Sequence, residues 1–432
     1  MTPAAALRSG PGVVPPPREM SARTAHSRGL VIVGLTQSYN RTSSTPIPLE
    51  TIAPYVRVGG HYTSKEEPLG ATPRYRATEV NRRRRRLCVQ IAVICAVLMI
   101  ATTSHAGSRQ RVYVTDSTTA LVSVVDPHTN TIVAAISVGT RPWGVVVSPD
   151  GRRVYVANQI DGTVSVIDTK TNKVVAVVHG FDLPTHLAAT PDGTRVYVTN
   201  MRNTTNTVSA IDARTNTIVA TISVGVAPSR IVITPDGRRA YVVNSQANSV
   251  SVIELATNAV LTIIQVGAQP DGIAITPDGG RVYVLNGGGS TVSVIDTATN
   301  TVEPGISLVD TFYPTGHVNI SGVVIAITPD GARAFIPLAG GGTFSFVSVI
   351  ETTFNRPLAL FAAAPFVQNV NSASDVAINA EGKRAYLSIP SAGQGASGLV
   401  VVIDLKTNTT LAAIPTVGPE PLGIAVTPAD DL

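Results

Sequence analysis

The 432-residue chain has very little cysteine: Cys88 and Cys95 are its two, and both lie in one apolar run. The sequence after that run has no thiol for a disulfide framework, a thiolate metal site or a catalytic cysteine. The C-x-x-C-H, H-E-x-x-H and P-loop motifs are also absent. These absences exclude c-type haem attachment, a zincin site and a P-loop. We therefore expect no cofactor and no metal site.

A basic excess is missing from most of the chain. Of its 33 basic and 28 acidic residues, 14 and 5 lie in residues 1–106, which leaves 19 and 23, a net charge of −4, for the rest. Proteins that bind nucleic acid usually carry a basic surface. We therefore do not expect a nucleic-acid partner for the folded part.

Long hydrophobic runs are missing too, with one exception. Arginines occupy positions 82–86, residues 87–101 are almost all apolar, and Ser104, His105 and Ala106 follow. This order is typical of a secretory signal peptide. Because 15 residues are short for a membrane span of about 20, residues 82–106 are predicted to be a cleaved signal peptide, with an uncleaved signal anchor as the alternative. Residues 87–101 would then be the only contact with a membrane. Either reading predicts a secreted or cell-envelope protein.

Residues 1–81 lack the sustained apolar runs that a packed core needs, and they are rich in Pro, Arg, Ser and Thr. Two interpretations remain open. The segment is a disordered tail, or translation begins later and the segment is not made. Residues 107–432 are predicted to form the folded domain.

That domain is built from a repeat that occurs seven times. Each unit has four short runs rich in Val, Ile and Tyr, which is typical of strands. Segments resembling V-S-V-I-D end at Asp126, Asp168, Asp212, Glu254, Asp296, Glu351 and Asp404. Turns resembling T-P-D-G, in which Pro and Gly set the backbone, begin at Ser148, Thr190, Thr234, Thr276, Thr328, Asn379 and Thr427.

Seven four-stranded units of about 42 residues predict an all-β fold, a seven-bladed β-propeller of antiparallel blades. The first unit starts at Arg111 with what would be a second strand, and the chain stops after one more strand near Val426. We therefore expect the last blade to combine three N-terminal strands with one C-terminal innermost strand. Such closure leaves no long unpaired inner edge.

The segments Tyr155-Val156-Ala157-Asn158 and Tyr197-Val198-Thr199-Asn200, together with the acidic segments and the turns, resemble the YVTN family of β-propeller repeat proteins over residues 111–428. The resemblance implies an exported propeller. The family includes surface-layer and binding proteins, and its more distant seven-bladed relatives include lactonases and a streptogramin lyase. Blades five and six depart from the pattern, since Leu338 and Ile389 replace the Asn and Pro337 removes a ladder donor.

Loop lengths differ between the two ends of the repeat. The spacing from each turn to the next aromatic residue is constant, whereas Asp296 to Thr328 spans 32 residues against 22 for Glu254 to Thr276. All the extra residues fall on one predicted face, over blades four to six. Functional loops vary over a fixed scaffold, although insertions are also tolerated at loop tips without any function.

The variable face also holds the start of each innermost strand, around the mouth of the central channel. The polar or aromatic residues predicted there are Trp143, His186, Arg230, Asp271 and Asp375. Such a set could hold a small ligand or an anion, with the arginine binding a carboxylate or phosphate and the tryptophan stacking on a planar group. The alternative is that these side chains plug the channel and bond one another. His317, in the longest insertion, is a further candidate.

Other charged residues look structural. The acids that end the V-S-V-I-D segments are predicted to cap turns. Arginines that follow the T-P-D-G turns are predicted to form a solvated basic ring, and they are Arg152, Arg195, Arg238, Arg281 and Arg333.

Three functions remain open. The chain can be a non-enzymatic binding or scaffold module at the cell envelope, with a small ligand or an envelope protein as its partner. Alternatively, it is a hydrolase or lyase acting on a lactone-like substrate, for which His186 beside Asp375 or Asp271 is the only nearby acid–base set. A further alternative is single-stranded nucleic-acid binding through Trp143 and Arg230. We favour the first, with no catalytic residue assigned.

Overall fold

The computed structural model describes residues 110–202, 205–308, 324–340, 344–363, 373–391 and 396–429. This part of the chain consists of strands and turns, and it includes no helix long and apolar enough to span a membrane. The predicted leader, residues 1–81 and 82–106, lies outside the described residues, so its assignment stays a prediction.

Among the described residues, 28 strands form seven antiparallel sheets of four strands each. The first described strands are β1 (Val112–Asp116), β2 (Leu121–Asp126) and β3 (Thr131–Ser137). Blade 1 contains β4 (Pro142–Val147), β5 (Arg153–Asn158), β6 (Thr163–Asp168) and β7 (Lys173–His179). Blade 2 contains β8 (Pro184–Ala189), β9 (Arg195–Asn200), β10 (Thr207–Asp212) and β11 (Thr217–Ser223). Blade 3 contains β12 (Pro228–Ile233), β13 (Arg239–Asn244), β14 (Ser249–Glu254) and β15 (Ala259–Gln265).

The remaining blades follow the same order with more variation. Blade 4 contains β16 (Pro270–Ile275), β17 (Arg281–Asn286), β18 (Thr291–Asp296) and β19 (Thr301–Ser307). Blade 5 contains β20 (Ala326–Ile327), β21 (Arg333–Gly340), β22 (Phe344–Glu351) and β23 (Arg356–Ala362). Blade 6 contains β24 (Asp375–Ile378), β25 (Arg384–Ile389), β26 (Leu399–Asp404) and β27 (Thr409–Pro415), and the last described strand is β28 (Pro421–Val426).

The two ends of the domain meet in blade 7. Strand β28 pairs antiparallel with β1, which places Val426 opposite Val112 and Ile424 opposite Val114. The resulting sheet has the order β28-β1-β2-β3, and the inner strands of successive blades contact one another around the ring. The predicted seven-bladed β-propeller, closed by one C-terminal and three N-terminal strands, is confirmed.

The core lies between neighbouring blades. Tyr155 and Val166 of blade 1 pack with Leu187 and Val198 of blade 2, for example. The same alternation of inward residues in each blade supplies the next interface, so each blade buries an apolar face that it could not bury alone.

In four blades the repeated Tyr also forms a hydrogen bond to the next blade. Tyr241 in β13 donates a hydrogen bond to Asn300 Oδ1 in the turn after β18, at 2.9 Å, and Tyr283 in β17 does the same to Asn355 Oδ1 at 2.6 Å. Asn300 and Asn355 have φ angles of 56° and 51°, a left-handed conformation that Asn tolerates better than most residues. This T-x-T-N turn is therefore part of the blade interface.

The Asn of the Y-V-x-N segment works within its own blade. Asn244 donates from Nδ2 to the hydroxyls of Ser249 and Ser251, at 3.1 and 2.9 Å. The acid at the end of the V-S-V-I-D segment caps a turn, since Asp168 Oδ1 accepts hydrogen bonds from the backbone N and the hydroxyl of Thr171 at 2.9 Å. These repeated polar residues are structural, as the sequence predicted for the acids.

The predicted ring of solvated arginines is wrong for part of its members. Arg152 and Arg238 have side chains 84% exposed. Arg281 instead pairs with Glu303, and Arg333 lies over the Phe335 ring and donates to the carbonyl oxygen of Leu405 in blade 6. Arg281 thus joins β17 to β19 within blade 4, whereas Arg333 reaches from blade 5 to blade 6.

The strand ends define two faces. The T-P-D-G and T-x-T-N turns lie on one, here called the lower face. The upper face holds the loops that lead into each inner strand. The three long connections run from β19 to β20, from β23 to β24 and from β25 to β26, all between strand ends on the upper face. Most of their residues lie outside the described ranges.

Candidate functional site

The upper face repeats one backbone motif. In five blades the inner strand opens with a proline, and four of the residues just before these prolines have positive φ: Arg141, Leu183, Ala227 and Gln269. The φ values lie between 49° and 56°. The same backbone conformation occurs with four different side chains, so it is a property of the fold. The blades differ from one another in the side chains at this position.

Blades 7 and 1 differ from the other three blades in the side chains on either side of this proline. The residue before the proline is Glu420 in blade 7 and Arg141 in blade 1, and the residue after it is Leu422 and Trp143 respectively. These four side chains line one pocket of 220 Å³ together with Ser117, Pro390 and Ser391. We call this pocket the seam pocket, because it lies where the two ends of the domain meet.

The seam pocket combines one aromatic ring with two opposite charges. The Arg141 guanidinium lies over the Trp143 ring, 5.3 Å from its centroid. The Ser117 hydroxyl donates to Glu420 Oε2 at 2.7 Å, and the backbone N of Glu420 donates to the Asp116 carboxylate at 3.0 Å. Among the described residues, neither Arg141 nor Glu420 forms an ion pair.

A second polar group lies in the channel. Arg230 of blade 3 crosses to blade 6, where its Nη1 donates to Asp375 Oδ1 and its Nη2 donates to the carbonyl oxygen of Ser374, both at 3.1 Å. Asp375 Oδ2 accepts a hydrogen bond from the backbone N of Ile424 at 3.1 Å. The ion pair is largely buried, with each side chain 13% exposed. It braces the ring across its channel.

Asp271 of blade 4 lies beside this brace. Burial raises the pKa of the Asp271 carboxyl, against the opposing effect of the Arg230 charge. Burial likewise raises the pKa of Asp375, although Arg230 opposes the shift. Three atoms of the group are inaccessible to solvent and lack a hydrogen-bond partner among the described residues, namely Ser229 Oγ, Arg230 Nε and Asp271 Oδ1.

His186 of blade 2 completes the group. Burial, and then the Arg230 charge, lower its pKa well below the usual value, so the imidazole is neutral at pH 7. Its Nδ1 lies 3.1 Å from the carbonyl oxygen of Ser229. A carbonyl can only accept, so Nδ1 carries the proton and Nε2 is the basic nitrogen.

The predicted site residues therefore fall into two groups. His186, Arg230, Asp271 and Asp375 come together in the channel, and Trp143 lies in the seam pocket, which none of those four lines. Both terminal nitrogens of Arg230 have protein partners, so an anion would have to displace Asp375. His317 lies outside the described residues.

Glycine at the channel position has a packing reason. A Cβ on Gly144 would lie 2.3 Å from the carbonyl oxygen of Thr185 in the next blade, and a Cβ on Gly423 would lie 2.5 Å from that of Trp143. The inner strands approach too closely there for a side chain. Hydroxyls of the second strands bridge the same contact, since Thr115 donates to the Trp143 oxygen at 2.6 Å and Thr199 to the Ser229 oxygen at 2.7 Å.

Sequence reasoning missed Arg141 and Glu420. They stand one position before the prolines that open β4 and β28, whereas the channel residues were found by counting back from the T-P-D-G turns. Aligning the units on the prolines would have shown both, because the other three such positions hold the uncharged Leu183, Ala227 and Gln269.

Two family models match the chain. A model for YNCE-like β-propellers matches residues 85–236, and a model for lactonases with seven-bladed β-propellers matches residues 184–307. The chain is similar to both families over these segments, and the predicted resemblance to lactonase-like seven-bladed β-propellers is confirmed. No curated protein sequence matches the chain.

Solved structures show the same fold. A functionally unknown protein from Desulfotomaculum acetoxidans is 18% identical, with a TM-score of 0.61 over 74% of this chain and 99% of that one. Kuenenia stuttgartiensis hydrazine synthase is 20% identical, with a TM-score of 0.56 over 71% and 92%. The dihydro-heme d1 dehydrogenase NirN is 19% identical, with a TM-score of 0.54 over 75% and 76%. At these identities, the similarity shows only that the chain shares its fold with these proteins.

Proposed function

We propose that the protein is an exported, non-enzymatic propeller that binds a small ligand in the seam pocket at the cell envelope or outside the cell. The observation that carries this proposal is that four side chains unlike those at the same positions of the other blades meet in one pocket. Arg141, Trp143, Glu420 and Leu422 occupy two positions of the upper-face motif in adjacent blades, and all four line the same pocket.

The chemistry of the seam pocket favours recognition. Its described lining offers an aromatic ring, a cation and a carboxylate, which orient a ligand by stacking and charge. It contains no histidine, lysine or cysteine. Export, for its part, rests on the predicted signal segment.

The experiment uses the fact that Trp143 is the only tryptophan of the chain. Intrinsic tryptophan emission of the purified protein therefore reports on the seam pocket alone. The emission is titrated with three panels of small molecules (amino acids, sugar phosphates and lactones) and with a single-stranded oligonucleotide. We expect one small-molecule panel to change the emission with saturation, and the oligonucleotide to have no effect.

Two variants serve as a matched pair. Arg141→Ala removes the guanidinium above the ring and should weaken binding at least tenfold, whereas Arg152→Ala removes an exposed arginine on the lower face and should leave it unchanged. Saturation by none of the compounds, or equal effects of the two variants, would count against the proposal.

A second candidate is turnover of a lactone-like substrate in the channel. It is favoured by the match of the lactonase model to residues 184–307, a segment that contains His186, Arg230 and Asp271. The neutral His186 could act as a general base through Nε2. Lactone turnover that is lost in His186→Ala and kept in His179→Ala would favour this candidate over the first.

A further inference from the structure

We propose that the ligand of the seam pocket is a zwitterion of the size of one amino acid, with an ammonium group, a carboxylate and a small apolar body. This inference rests on the proposed function and specifies its ligand class. Three properties of the pocket carry it: the placement of its two charges, the lack of protein partners for those charges, and its volume.

The charges stand at equivalent positions on neighbouring blades. Arg141 precedes the proline of β4, and Glu420 precedes the proline of β28. The corresponding residues of blades 2, 3 and 4 are uncharged: Leu183, Ala227 and Gln269. One cation and one anion thus line the pocket, and the charges of its lining residues sum to zero.

Both charges are available to a ligand. Arg141 stacks on Trp143 and makes no ion pair among the described residues, so its guanidinium can take a carboxylate by two parallel hydrogen bonds. Glu420 Oε2 accepts from Ser117, while Oε1 has no partner among the described residues and can accept from an ammonium group. A ligand with only one charge would pair with only one of the two pocket charges and should bind less tightly.

The remaining lining limits the body of the ligand. Trp143, Leu422 and Pro390 supply apolar surface. The pocket volume of 220 Å³ is below the range of roughly 300 to 1,000 Å³ that holds drug-sized molecules. A single amino acid with an aliphatic side chain suits both limits, whereas a nucleotide or an oligosaccharide would extend far outside the pocket.

The test titrates Trp143 emission of the full chain with L-leucine, N-acetyl-L-leucine and L-leucinamide. The acetyl compound lacks the ammonium charge and the amide lacks the carboxylate, while the apolar body is kept. We expect leucine to bind at least tenfold more tightly than either analogue. Arg141→Gln should abolish the preference of leucine over leucinamide, and Glu420→Gln should abolish its preference over N-acetyl-leucine.

The controls are Arg152→Gln and Glu381→Gln, two exposed charges on the lower face, which should leave all three affinities unchanged. Circular dichroism of each variant shows whether its fold is kept. If leucine binds no better than its two analogues, or if another panel saturates while leucine does not, the inference is overturned and the proposed function stands. If no compound changes the emission, both fall.

Discussion

Two aspartates share the channel and differ in their hydrogen bonds. Asp375 pairs with Arg230 and accepts backbone hydrogen bonds, whereas Asp271 Oδ1 has no partner among the described residues. The pKa of each carboxyl is raised, chiefly by burial. A carboxyl with a raised pKa holds its proton more tightly in the folded state. The protonated carboxyl therefore stabilises the folded state most at pH values below its pKa in the unfolded chain. This stabilisation is lost as the pH rises through its pKa in the folded protein.

Asp271→Asn should increase the stability of the protein at pH 7 and flatten the fall in stability above about pH 4, the unfolded pKa of Asp. The amide cannot ionise, so the cost of a buried charge disappears. Urea unfolding followed by circular dichroism between pH 4 and pH 8 measures both effects. An unchanged pH profile would show that Asp271 is not a buried titrating group.

Asp375→Asn should act in the opposite direction. It leaves the Arg230 charge with less compensation in the channel, and breaking a buried ion pair by removing one partner costs roughly 3 kcal/mol. The same urea measurement at pH 7 distinguishes the two aspartates. Equal effects of both substitutions would contradict the assignment of Asp375 as the partner in the brace.

For these individual residues, the sequence predicted where the side chains lie better than which residues they bond. Counting from the turns placed His186, Arg230, Asp271 and Asp375 at the channel, because the register within a blade is local. The bond between Arg230 and Asp375 joins residues 145 positions apart, and it depends on the width of the closed ring, which no local pattern encodes.

Individual strands and turns show why the repeat tolerates some changes. Blade 5 carries Pro337 and lacks the signature Tyr and Asn, and its inner strand is reduced to Ala326–Ile327. Strand β21 nevertheless pairs with β22 along its whole length, with Pro337 opposite Val347. Phe335 fills the position of the tyrosine and is 1% exposed. The aromatic ring alone therefore suffices for packing, but the hydrogen bond from this position to the next blade is missing.

Phe335→Tyr should restore that hydrogen bond and stabilise the protein by about 1 kcal/mol, the net value of one hydrogen bond. The acceptor would be Asn408 Oδ1 in blade 6, which is buried and has no partner among the described residues. The equivalent tyrosine of blade 4, Tyr283, already bonds Asn355, and Tyr283→Phe should cost a similar amount. Thermal unfolding measures both, and a loss of stability in Phe335→Tyr would show that the hydroxyl cannot reach Asn408.

The whole ring depends on one strand at its end. Strand β28 supplies the inner edge of blade 7 through its pairing with β1, and Ile424 packs in the cluster that joins blades 6 and 7. Thr115 Oγ1 accepts from the backbone N of Gly423 at 2.8 Å. The sequence predicted this closure because the order of the four strands within each repeat unit shows which strands are missing at the two ends of the domain.

Ending the chain after Gly418 should therefore open the ring, whereas ending it after Pro428 should not, since the second truncation keeps all of β28. The first loses the buried contacts of Ile424, worth about 1.5 to 3 kcal/mol for one such side chain, and exposes the edge of β1 to pairing with other molecules. The melting temperature should fall by about 10 °C or more, and light scattering should detect association. Since Trp143 and Leu422 share the seam pocket, the same truncation should also abolish ligand-dependent changes in tryptophan emission. A stable, monomeric protein without β28 would contradict this prediction, because it would show that the propeller does not need its last strand for closure.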